Sequence, residues 1–197
     1  MKNTFVNFGL AAALTTMCFL PTAAKAQTVN LFGGETKVVL NSTFVSALGS
    51  LGVTPAAVGP ASLYKGVATF PITVGLGNLS QPKVEIGHLG GLSLTAGSTK
   101  VELLNFQIEV LNSTPVLTGV VTVNGAIVDR LPLFSISLAG ANIYQPTKES
   151  LSIQGVTLTL TAGAASALNG VFGTTALTGG FPIGTASTLT FIYSPCN

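Results

Sequence analysis

Apolar and polar residues alternate with period two along most of this chain, the spacing of strands that bury one face. The pattern predicts a strand over residues 67–74, where Pro71 points to a sheet edge or a bulge because it has no N–H to donate. Leu92 and Leu94 alternate with Ser93 and Thr95. Over residues 101–110, Phe106, Ile108 and Val110 share one face and Asn105, Gln107 and Glu109 the other, while Val101 and Leu103 run in the opposite phase. A bulge at the pair Leu103 and Leu104 reconciles the two phases. A strand over 116–123 leads through Asn124-Gly125, a strong hairpin signal, into 126–128. Alternation continues through Phe134, Ile136 and Leu138, then over 151–160 and 189–193.

Two segments follow a helical period instead. Asn41-Ser42 can cap a helix over about residues 42–51, with Phe44, Ala47, Leu48 and Leu51 on one stripe and Gly52 at its end. A second helix is expected over about 161–172, with Ala164, Ala167, Leu168 and Val171 in line and Gly173 closing it. The two share Ser-Ala-Leu at the same offset (Ser46 to Leu48, Ser166 to Leu168), and each is followed about 20 residues on by Thr-Phe, at Thr69-Phe70 and Thr190-Phe191. A strand–helix–loop–strand unit thus occurs twice around a purely β centre, as an internal duplication would leave it. No linker breaks the patterning. The expected fold is a single mainly β domain, a sandwich or barrel-like sheet carrying two short helices.

The first 26 residues stand apart. Lys2, an apolar run over 5–20, the break at Pro21-Thr22 and the small residues of Ala24-Lys25-Ala26 are the ordered parts of a secretory signal. That leaves residues 27–197 as the working domain, its last few residues frayed, in the periplasm, at the cell surface or outside the cell. Removing Lys2 and Lys25 leaves six basic and six acidic residues, so the precursor's charge of +2 belongs to the signal. The basic residues are scattered singly, which excludes a nucleic-acid partner. A surface of Thr, Ser, Asn and Gly has little charge to keep copies apart, so self-association or attachment to an envelope component is expected. Cys18 leaves with the signal. Cys196 then has no intramolecular partner, which leaves a free thiol or a bond to another chain. No apolar run after Leu20 is long enough to span a bilayer as a helix.

Groups for catalysis are few. One histidine (His88) and one aspartate (Asp129) have no Gly-x-Ser-x-Gly elbow beside them. Glu102 and Glu109 fall at outward strand positions, where carboxylates are ordinarily solvated. A lone histidine without a cysteine cluster excludes a structural zinc site, and Gly33-Gly34 and Gly179-Gly180 read as turns. The chain is expected not to be an enzyme, and to hold no catalytic metal.

One stretch is more specific. Residues 85–94, Glu-Ile-Gly-His-Leu-Gly-Gly-Leu-Ser-Leu, join two strands through a short loop bearing His88, Gly90 and Gly91. The segment resembles the Gly-His-x-Gly-x-Leu-x-Leu element of the HtaA-type haem-acquisition domain of bacterial surface proteins. The likeness covers about residues 40–138, and the whole chain also resembles a group of exported bacterial proteins sharing the His-x-Gly-Gly-Leu loop. The resemblance implies a haem pocket near His88, Phe44, Gly90 and Gly91. It also implies a helix tyrosine four residues after Phe44, yet Leu48 stands there, and leucine cannot ligate iron. Tyr64 is the nearest alternative. From sequence, the leading reading is a non-enzymatic exported domain that binds an envelope component or a small apolar ligand. A haem-binding module is the alternative, with haem the one cofactor implied.

Overall fold

The computed structural model describes residues 28–81 and 83–193. The expected signal segment, both cysteines and the expected C-terminal fraying lie outside the described residues. Twelve strands and two helices follow one another as β1 (Thr28–Leu40), α1 (Ser42–Ser50), β2 (Thr54–Val58), β3 (Ser62–Tyr64), β4 (Val67–Asn78), β5 (Lys83–His88), β6 (Gly91–Ala96), β7 (Thr99–Val110), β8 (Val116–Val123), β9 (Ala126–Ser137), β10 (Asn142–Tyr144), β11 (Ser150–Leu160), α2 (Ala162–Phe172) and β12 (Pro182–Tyr193).

All pairings are antiparallel. Eight strands form a ring in the order β7-β5-β4-β1-β12-β11-β9-β8, closed by the β7–β8 pairing. Strands β2 and β6 extend from β7, while β3 and β10 pair along β4 and β11. The ring is barrel-like, and its inward side chains form one core.

Local chemistry sets the turns. Asn124 and Gly125 both adopt positive φ (49° and 83°), the conformation of a two-residue hairpin turn between β8 and β9. The Asn41 side chain accepts from Thr43 N–H to start α1, and Thr161 Oγ1 accepts from Ala164 N–H to start α2. Gly173 closes α2 in the left-handed region, as its position implies. Phe44 and Leu48 of α1 are buried, whereas α2 buries Ala164, Ala165 and Leu168 and leaves Ala167 exposed.

The two strand–helix–strand units are real neighbours. β1–α1 returns to β4 and β11–α2 returns to β12, and the four strands lie side by side as β4-β1-β12-β11. Each helix therefore sits at the same end of the ring, one unit displaced from the other by two strands. The slip in β7 falls between Leu104 and Gln107, with Asn105 at φ 49°, slightly later than the leucine pair suggests. Pro71 lies in an interior strand and not at an edge: β4 is flanked by β1 and β5, and register is irregular between Ile72 and Gly75.

Gly90 and Gly91 tie β6 to its surroundings. A Cβ on Gly91 would lie 2.0 Å from the Leu103 carbonyl oxygen of β7, so only glycine allows that strand pair its closeness. Gly90 has φ +77° and a built Cβ 2.6 Å from both Ala61 N and Val58 O. Gly90→Ala should therefore destabilise the fold by about 2 kcal/mol, combining left-handed strain with displacement of the 59–61 loop. Urea unfolding measures this; an unchanged midpoint would show that the loop yields freely.

Candidate functional site

Inside the ring lies a cavity of about 430 Å³, within the range of small-ligand pockets. Its walls are apolar, with Phe70, Ile86, Phe106, Phe134, Ile136 and Leu158 among the side chains facing it. Phe44 of α1 reaches the cavity from the helix end of the ring. At the opposite end the lining turns polar: Asn78, Ser80, Gln81 and Lys83 around the β4–β5 turn, Tyr144 at the end of β10 and Gln145 after it. Ser80, Gln81, Lys83, Tyr144 and Gln145 are exposed, so this end is the mouth.

One polar strip crosses the apolar interior. His88, at the end of β5, is 4% exposed. Its Nδ1 lies 3.2 Å from the Phe106 carbonyl oxygen, and its Nε2 lies 2.8 Å from Thr36 Oγ1. Thr36 Oγ1 in turn lies 2.9 Å from Thr188 Oγ1. The carbonyl can only accept, so Nδ1–H donates to Phe106; Nε2 then accepts from the Thr36 hydroxyl, which accepts from Thr188. The chain of bonds runs from β7 through β5 to β1 and β12 and fixes the imidazole tautomer. Burial pushes the His88 pKa down from 6.5 to about 4, against a smaller upward pull from the Phe106 carbonyl, so the ring is neutral near pH 7.

The structure separates the residues that sequence singled out. His88 and Phe44 face the common cavity. Tyr64 does not: it lies on β3, 71% exposed, with Lys65 Nζ 5.3 Å from its ring centre. Leu48 is buried in the core, 2% exposed. Gly90 and Gly91 serve close backbone packing beside the site. Thr36 and Thr188, and at the mouth Asn78, Gln81, Lys83 and Tyr144, are site residues that sequence reasoning missed. The glutamates of β5 and β7 lie on the outer wall, where Glu85 accepts from Gln107, Glu109 from Thr118, and Glu102 pairs with Lys100. Among the described residues no group of three metal-ligating side chains converges.

No protein-family model matches the chain, and no curated protein matches it significantly in sequence. Solved structures do share its architecture. The C-terminal domain of HtaA from Corynebacterium glutamicum matches with a TM-score of 0.66 at 12% identity, over 84% of this chain and 99% of that domain. The N-terminal domain of the same protein matches with a TM-score of 0.58 at 14% identity, over 84% and 99%. The heme binding protein HtaB of that organism matches with a TM-score of 0.58 at 11% identity, over 85% and 96%. At such identities the likeness is one of fold. It bears out the resemblance carried by the His88 loop and extends beyond residues 40–138 to the C-terminal unit.

Proposed function

We propose that this chain is an exported, non-enzymatic binding module that takes a haem-type ligand, a flat apolar body with polar edges, into the interior of its ring. The observation that carries this reading is the apolar cavity inside the ring, opening at a polar, lysine-bearing mouth. Apolar walls would bury the macrocycle, and Lys83 with the amides of Asn78 and Gln81 would meet carboxylates left at the entrance. The fold neighbours, one of them described as haem-binding, support this ligand class over attachment to a surface.

The body of such a ligand suits the cavity, but tyrosinate ligation at α1 does not fit this chain. Leu48 occupies the tyrosine position, Tyr64 is on the outer wall, and the His88 Nε2 lone pair is taken by Thr36. Affinity would then come from burial, without a protein–iron bond. Metal-free protoporphyrin is therefore expected to bind within about tenfold of haemin, a difference under about 1.4 kcal/mol. Titrating the chain from Gln27 onward, with Soret absorbance for haemin and fluorescence for protoporphyrin, checks both points. If neither binds, the haem-type reading fails. If haemin binds far more tightly than the metal-free ring, an iron ligand exists and the burial account is wrong.

A further inference from the structure

We infer that the outer face of β4, β1 and β12 is the contact surface for a second copy of this chain. Over part of two of these strands the larger apolar side chains face out. On β12, Thr188 and Thr190 point inward at 5% and 0% exposure, while Leu189, Phe191 and Tyr193 face out at 44%, 45% and 58%. On β4, Gly75 and Gly77 lie on the inner side, while Val74 and Leu76 are 68% and 50% exposed. Register places these side chains together. Phe32 of β1 pairs with both Val74 and Phe191, and Asn30 pairs with both Leu76 and Tyr193. The Phe32 and Phe191 rings lie 6.0 Å apart.

No charged side chain interrupts this set. Charges appear only at its border: the Glu35–Lys37 pair on one side, Glu85 opposite Leu76 with Lys83 beyond it on another, and Glu149, whose carbonyl accepts from Ile192 N–H, on a third. An uncharged aromatic centre within a polar rim is the anatomy of a protein interface. Six half-exposed side chains of this size present on the order of 600 Å², at the top of the range for patches on soluble monomers. That is most of the roughly 800 Å² each partner contributes to a standard interface.

Three features select a second copy as the occupant. An exposed three-strand face is self-complementary under a two-fold axis, and sheets pack face to face. The rim carries Glu35, Glu85 and Glu149 together with Lys37 and Lys83, a mixed-sign border without the net positive charge that would attract an anionic lipid surface. Tyr193, inside the patch, is followed three positions on by Cys196, a stretch of at most about 11 Å. Under a two-fold pairing centred on β1 and β12, a stretch of that length would let oxidised glutathione join the two Cys196 thiols, taking up their two electrons and two protons as two molecules of glutathione.

The inference does not depend on the haem-type ligand. Sedimentation equilibrium of the chain from Gln27 onward, under reducing conditions, is expected to give a dimer. Phe191→Ser and Val74→Glu should each weaken it by about tenfold or more, as loss of a central contact does. Ile127→Ser removes a side chain 76% exposed outside this face and should leave the dimer intact. With oxidised glutathione in place of reductant, a disulfide-linked dimer should form in the parent chain and fall sharply in Phe191→Ser. A monomer at all concentrations, a dimer lost with Ile127→Ser and kept with both patch variants, or a monomer that co-floats with lipid vesicles through this face would each overturn the proposal. Far-ultraviolet circular dichroism confirms that each variant is folded.

Discussion

His88→Ala is expected to cost about 3–5 kcal/mol of stability at pH 7, one of the two largest effects this structure predicts. The imidazole fills space between β5, β7 and β1 where an alanine leaves a void. Its removal also strands the Phe106 carbonyl and returns the Thr36 hydroxyl to a single partner, Thr188. The effect carries a pH signature. The folded-state pKa is about 4 and the unfolded value about 6.5, so between these limits the unfolded chain binds a proton that the folded chain does not. Stability contributed by the neutral ring is complete above about pH 6.5 and is lost as pH falls toward 4, a change of about 3 kcal/mol. Glu102, whose carboxyl is held below the usual range mainly by its hydrogen bond to Lys100, also loses stabilising contact in acid. That loss is common to parent and variant and cancels between them. Urea unfolding at pH 7 and pH 4 should therefore show the gap between His88→Ala and the parent shrinking by about 3 kcal/mol. A gap that stayed constant would mean that His88 is not held neutral by burial.

Ala186→Phe is expected to weaken ligand binding by about a hundredfold while leaving the chain folded. Ala186 is buried on β12, one inward position from Thr188, with its methyl group on the cavity wall. A phenyl ring there grows into empty space, so overpacking costs less than the usual 1–3 kcal/mol. It takes volume that a ligand needs. Displacing roughly 100 Å² of apolar contact is worth about 2.5 kcal/mol, close to a hundredfold in affinity. Thr185→Phe, at the adjacent exposed position of the same strand, is the matched control. Equal loss in both variants would show that the cavity is not where the ligand binds.

Much of the fold was legible because each strand carries its own signal. The Asn124-Gly125 turn, the phase change along β7 and both helix caps are local statements, decided by residues a few positions apart. β1 was not legible. Its inward positions are Val29 and Leu31 before Gly33-Gly34 and Thr36 and Val38 after them, so the bulge erases a continuous period. β12 misleads in another way. Its alternation is plain, yet Leu189, Phe191 and Tyr193 face out while Thr188 and Thr190 face in, a choice made by neighbours more than 150 residues away.

The site divides along the same line. His88 and Phe44 were identified because each is distinctive in sequence. Thr36 and Thr188 are two among many threonines, and only the β1–β12 register brings them to the imidazole. Tyr64 was a reasonable candidate by proximity along the chain, but β3 pairs outside the closed ring and carries it to the solvent. The resemblance at residues 85–94 marked the right fold. The same segment keeps its glycines for strand packing and commits its histidine to an internal hydrogen-bond chain.

The most direct test of ligand binding inside the ring is a haemin and protoporphyrin titration of three proteins side by side: the parent from Gln27 onward, Ala186→Phe and Thr185→Phe. Saturable binding of both ligands is expected for the parent and for Thr185→Phe, with affinity reduced about a hundredfold in folded Ala186→Phe. Undiminished binding to folded Ala186→Phe would contradict binding inside the ring.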